Sequence, residues 1–303
     1  MRIATVISPL LVLLSASDGW CLSLDGQTFG SRRDVLTSSV AAAAHSAALL
    51  GALTASPTEA VAAGGGLAAK LSQRDPAALK NSVFNIPPTA QVYPAFMRGV
   101  WEVEEKFSGY IFPSTTIPKS KIIEDLIIPG FQKLSVAAIS DIGKELATYR
   151  MRIDEKGFED RKYNLADTID AHVGYKAVES IDYDPSTNPN RLSITFVPNR
   201  TRNAERIELF FNARESELVP NPKDETSKLQ IFVCSEYMRQ VTFSLSQEFG
   251  VARQVVGNYA HFWTWREQPD GMTLTGNVLT AVYLDPQDAL FFQEPSKPVV
   301  VYR

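Results

Sequence analysis

The sequence predicts a mainly β domain, an antiparallel lipocalin- or calycin-like barrel or a strongly curved sheet carrying one or two short helices. Three observations predict it. After Val92, apolar and polar residues alternate with a period of two over most of the chain. Clusters of Gly, Pro, Asn and Asp separate the alternating runs. Helical periodicity is too sparse to supply the crossovers of a doubly wound α/β fold.

The elements follow in chain order. Arg2, then an apolar run through Ile7, Leu10, Leu11, Val12, Leu13 and Leu14 that ends in small residues, has the layout of a secretory signal peptide and is too short to remain in a bilayer. A transit-like stretch poor in acids follows Trp20. Next come Arg32, Arg33, Asp34, Val35 and Leu36, a mildly apolar Ala/Ser/Leu stretch, and Ala60-Val61-Ala62, the layout of a twin-arginine export signal. Residues 1–63 are therefore expected to be a cleaved targeting leader. The competing reading, a membrane anchor at 37–55, barely reaches the ~20 apolar residues it needs.

Residues 64–91, Gly/Ala-rich and then Pro-containing, read as a linker or N-terminal arm with a short helix at Pro76–Asn81, and residues 92–303 as a single β-barrel domain. Within that domain Trp101, Val103 and Phe107 alternate with Glu102, Glu104 and Lys106, and Tyr149, Met151 and Ile153 with Thr148, Arg150 and Arg152. Further strands are expected at 131–139, 158–163, 177–183, 192–198, 205–213, 229–235, 236–244, 254–266, 272–284 and 298–302. One helix is expected where Asn164 caps a turn and Leu165, Ile169, His172 and Val173 fall on one stripe.

Composition narrows the function. Loss of residues 1–63 from the 303 leaves 240, enough for one sizeable core. A net charge of −4 without a basic run argues against a nucleic-acid partner. Cys234 alone survives processing, which leaves no internal disulfide and no CxxC. His172 and His261 are the two histidines outside the leader, too few for a His-rich metal site. The chain shows no nucleophile elbow, Gly-rich phosphate loop or helical His-Glu-x-x-His, and alternation sends Glu105 to the opposite face from Glu102 and Glu104. No catalytic constellation, metal or cofactor is expected.

The candidate binding residues are Trp101, Tyr237, Arg239, His261 and Trp263. Arg239 shares a strand face with Tyr237, Val241 and Phe243, so it either holds the anionic head of an amphiphile, pairs internally with Glu105, or turns outward at a bulge. His261 is in phase with Tyr259, Trp263 and Trp265, an aromatic face suited to a pigment or haem pocket but more often plain core.

Gly99-Val100-Trp101 resembles the lipocalin signature at the start of the first barrel strand. That resemblance implies that Trp101 plugs the closed end of a barrel and that a basic side chain, Arg266 or Arg303, packs across it. Over residues 92–303 the chain resembles an uncharacterised domain-of-unknown-function family of cyanobacteria and plastids. The likeness is carried by Gly99-Val100-Trp101-Glu102-Val103, Ile128-Pro129-Gly130-Phe131, Asn212-Ala213-Arg214, Ser235 to Val241 and Tyr283-Leu284-Asp285-Pro286-Gln287. It implies a β fold and plastid ancestry but no activity. The leader resembles that of a twin-arginine thylakoid lumen protein of an alga, which implies residence in the chloroplast thylakoid lumen with no transmembrane span in the mature form. The resulting expectation is a lumenal lipocalin-like protein that binds a lipid, fatty acid or pigment. The alternatives are a non-catalytic assembly or interaction factor for a photosynthetic membrane complex and, least supported, a lipid- or pigment-modifying enzyme. An internal volume of roughly 300 Å³ or more favours ligand carriage, and a filled interior favours the assembly factor.

Overall fold

Long unbroken alternation makes long strands, and the three longest form the middle of the sheet: β7 (Arg206–Pro220), β8 (Gln230–Leu245) and β9 (Ala252–Glu267). The structure, a computed structural model, describes residues 2–6, 66–81, 88–124, 146–201, 204–221, 229–245 and 252–302. Its other strands are β1 (Arg2–Val6), β2 (Gly99–Lys106), β3 (Tyr110–Ile111), β4 (Leu146–Ile153), β5 (Val178–Asp182), β6 (Arg191–Phe196), β10 (Thr273–Tyr283) and β11 (Val300–Tyr302). The helices are α1 (Leu67–Ser72), α2 (Lys119–Glu124) and α3 (Arg161–Val173). Residues 229–235 and 236–244, expected as two strands, are the single strand β8, because neither Gly nor Pro interrupts them. The strand expected at 131–139 and most of the leader lie outside the described residues. No described helix is long and apolar enough to cross a membrane.

The strand order is β4-β2-β1-β10-β9-β8-β7-β6-β5, with β11 on β10 and β3 on β11. From β5 to β10 each strand pairs antiparallel with the next, in meander order. Arg2–Val6, expected as the start of a signal peptide, form in the full chain a strand parallel to both β2 and β10.

The ladder does not close into a barrel among the described residues: β4 and β5 stand at its two ends. Side chains of α3 reach both of them. Asn164 Oδ1 accepts from the Arg152 amide at 2.7 Å, Asn164 Nδ2 donates to the Arg152 carbonyl at 3.1 Å, and Asp167 accepts from the Arg150 amide at 2.7 Å. Asp170 Oδ1 accepts from the amides of Ala177 and Val178, at 2.7 and 2.9 Å, where β5 begins. The helix thereby satisfies an edge that would otherwise offer unpaired backbone groups.

Residues 158–163, expected as a strand, hold the first turn of this helix. Its cap is Asp160, which accepts from the Tyr163 amide at 3.2 Å, so Asn164 is free to serve β4. Gly174 ends it at φ 87°, a left-handed position that suits glycine.

Both faces of the central sheet are covered. One packs Trp101, Val103, Ile153, Phe232, Cys234 and Trp265 into one cluster, and Leu192, Ile194, Ile207, Leu209, Phe211, Met238 and Tyr259 with Ile169 of α3 into another. The opposite face of β8, β9 and β10 carries Ile231, Val233, Phe262 and Tyr283 beneath Leu67 and Leu79. Residues 66–81 are therefore a packed arm and not a loose linker. Tyr283 donates its hydroxyl to the Leu79 carbonyl at 2.7 Å, Tyr237 to that of Lys80 at 3.1 Å, and the Ala68 amide donates to Glu217 at 2.9 Å.

Candidate binding cavity

Alternation places Tyr259, His261, Trp263 and Trp265 of β9 on the face that looks toward α3, and beside them lies a cavity of about 180 Å³. Glu105, Tyr149 and Met151 line it from β2 and β4, Leu209 and Phe211 from β7, Glu236 and Met238 from β8, Val278 from β10, and Arg161, Asn164, Leu165 and Thr168 from α3. Tyr93 and Glu159 complete the wall. Gly276 positions one lining residue: a Cβ there would sit 2.7 Å from the Trp265 ring, so only glycine lets that indole lie against β10.

The wall is apolar with two polar regions. In the first, Arg161 grips Glu236 with Nη1 at 3.0 and 3.1 Å from its two oxygens and Nη2 at 3.0 Å, and also pairs with Glu159. Arg214 Nε donates to the same Glu236 carboxylate, and its other nitrogens donate to the carbonyls of Thr89 at 2.9 Å and Pro189 at 3.3 Å. Both guanidiniums rest on the Phe211 ring, 4.5 and 4.7 Å from its centroid. Burial works to raise the Glu236 carboxyl, but Arg161 and Arg214 override it and hold the group below the usual carboxylate range. Burial, with Glu159 adding to it, pushes the Tyr93 hydroxyl well up, and burial with Glu236 does the same to the Cys234 thiol, which makes that thiol a packing group rather than a nucleophile.

In the second region Tyr149 donates its hydroxyl to Glu105 Oε2 at 2.8 Å, and His172 Nε2 lies 3.6 Å from the same oxygen. His172 is buried, and neither ring nitrogen has a hydrogen-bond partner among the described residues. Nearby on the sheet, His261 Nδ1 and the Thr280 hydroxyl are 2.8 Å apart.

Of the five residues singled out from the sequence, His261 and Trp263 line the cavity. Trp101 is on the same face but 1% exposed within the core, its Nε1 donating to the Met97 carbonyl at 2.6 Å. Tyr237 and Arg239 are on the other face. Tyr237 lies under the arm, while Arg239 has a side chain 44% exposed and 3.7 Å from Asp285. The Arg239–Glu105 pair is not formed. Both faces of β8 are buried, one by the core and one by the arm, so alternation grouped Arg239 with Tyr237 correctly yet carried no signal of which face is inward. Arg266 is exposed and opposite Ile231, away from the Trp265 face, and Arg303 lies outside the described residues.

The charged cluster was not read from the sequence. Arg161 lies in a segment expected as strand, and Arg214 just past the strand expected at 205–213, whereas the bulge between Phe211 and Ala213 shifts the register so that Arg214 faces Glu236. The available signal was Glu236 itself, an acid inside an apolar strand, which requires a partner.

Fold and cavity together define a class: a mainly antiparallel β domain with a small, largely apolar cavity between its sheet and one helix. Residues 86–303 match the family described as Domain of unknown function (DUF6816), and the chain belongs to that family. The match begins at residue 86, inside the segment expected as an arm. No curated protein and no solved structure matches the chain significantly.

Proposed function

We propose that this protein binds a small hydrophobic molecule in the cavity beside β9, in the manner of a lipocalin-like β domain, and that residues 1–63 deliver it to the thylakoid lumen. The observation that supports binding is the cavity itself, with an aromatic and aliphatic wall and a few convergent polar groups. At about 180 Å³ it falls below the ~300 Å³ at which drug-sized sites begin, so it suits a short chain, a single ring system or the end of a longer molecule.

Two features support the lipocalin-like reading. The thirteen residues of α3 extend about 20 Å, yet its side chains bond both to β4 and to the start of β5, the two ends of the strand order, an arrangement that a strongly curved sheet accommodates. A 3-10 turn at Ala95–Met97 also precedes Gly99-Val100-Trp101, and the Met97 carbonyl accepts the Trp101 indole N–H.

Native mass spectrometry of protein purified from its own plastid tests the binding reading: a retained small-molecule adduct is expected, and bare polypeptide contradicts it. Fusion of residues 1–63 to a fluorescent protein tests delivery, and secretion or stromal retention contradicts that part. The second reading, an assembly or interaction factor, is favoured by Phe292, 84% exposed in the loop between β10 and β11. Bare polypeptide that co-purifies with a membrane complex supports it.

A further inference from the structure

We infer that the cavity selects a ligand that donates a hydrogen bond, namely a neutral alcohol, a phenol or an amine, and rejects a carboxylate. The inference rests on the binding reading above and narrows it. Three carboxylates line the cavity, those of Glu105, Glu159 and Glu236, against a single lining guanidinium, that of Arg161. Arg161 spends its directed donors on Glu236 and Glu159. The neighbouring Arg214 spends its own on Glu236, Thr89 and Pro189. The formal charge of these five groups is negative, since three acids face two bases. An incoming carboxylate would therefore lose its hydration beside three like charges, with the guanidiniums of Arg161 and Arg214 already engaged. Arg239, the cation that alternation suggested for an anionic head, is on the far side of the sheet.

A donor meets the opposite situation. Glu105 is buried to 8% exposure, lines the cavity and accepts the Tyr149 hydroxyl at 2.8 Å. A carboxylate offers about four acceptor sites, more than that hydroxyl and His172 Nε2, 3.6 Å away, take up. A ligand O–H or N–H directed at Glu105 gains a charge-assisted hydrogen bond, while Phe211, Met238 and Trp263 cover its apolar body. Fatty acids are thereby disfavoured among the hydrophobic ligands, and hydroxylated or amine-bearing ones favoured.

The test is calorimetric titration of the purified chain with 1-octanol, octylamine and octanoate, three probes of one chain length with different heads. Octanol and octylamine are expected to bind about tenfold or more tightly than octanoate at pH 7. In Glu105→Gln the gap between octylamine and octanoate should narrow by a similar factor. Octanoate binding as tightly as octanol overturns the selectivity while leaving the cavity a binding site. Binding of none of the three removes the binding reading and the selectivity with it. The wild-type comparison stands even where Glu105→Gln folds poorly.

Discussion

Replacing Glu236 by Gln keeps the side chain's shape and removes its charge, so it isolates what the carboxylate does for two buried guanidiniums. The side chains of Arg161 and Arg214 are 11% and 5% exposed. Arg161 would keep Glu159, but Arg214 would be left with neutral acceptors alone, the amide oxygen at position 236 and the carbonyls of Thr89 and Pro189. One buried cation left without its counter-ion costs about 3–5 kcal/mol. For a domain the size of residues 86–303, that corresponds to a melting temperature lower by roughly 6–20 °C. Thermal unfolding followed by circular dichroism would measure it. The pH dependence has a definite sign. The folded state holds the Glu236 carboxyl below its ordinary value, so its stabilisation is complete above the usual carboxylate pKa and fades as pH falls through the lower, folded value. The gap between wild type and Glu236→Gln should be widest near pH 7 and shrink below about pH 4. A loss under about 1 kcal/mol at pH 7, the scale of a surface ion pair, would refute the claim that this cluster is a desolvated part of the core.

Leu79→Ala should cost about 2–5 kcal/mol in urea unfolding, because Leu79 is only 4% exposed under the arm; a negligible loss would mean the arm is not part of the fold. Asn164→Ala removes both hydrogen bonds to Arg152 and should cost about 1–3 kcal/mol while speeding amide exchange at Arg152 in β4; unchanged exchange there would separate α3 from the edge it is argued to cover. Residues 64–303 expressed without residues 1–63 should show faster exchange than the full chain along β2 and at Thr273–Gly276 of β10, where β1 is removed. Equal protection in the two would mean that those edges do not depend on it.

How much was legible follows from what alternation encodes. Period two marked the strands from Leu146 to Tyr302 because each has at least one buried face, and it put Tyr259, His261, Trp263 and Trp265 on a common side. The 3.6 period marked the stripe of α3 from Leu165 to Val173, but period two misread its start as the strand 158–163, where Glu159 precedes the helix and Arg161 opens it, charged residues whose pairing no local pattern announces. It also failed to tell inside from outside on β8, since the arm buries Val233 and Tyr237 as the core buries Cys234 and Met238. The register shift that aims Arg214 at Glu236 depends on one unpaired residue, Asn212, with no glycine or proline to mark it. Pairing between charges distant in sequence is a property of topology, and the topology emerged only with the fold.

The central claim, that the space beside β9 is where a ligand resides, is tested most directly by filling it. Val278 lines the cavity opposite Trp263, so Val278→Trp should occupy the volume with the protein's own side chain. Native mass spectra of the two proteins, each isolated from its native cell and shown to be folded, would then be compared. The account predicts a small-molecule adduct on the wild type and none on Val278→Trp; an adduct of equal abundance on both, or none on either, would contradict it.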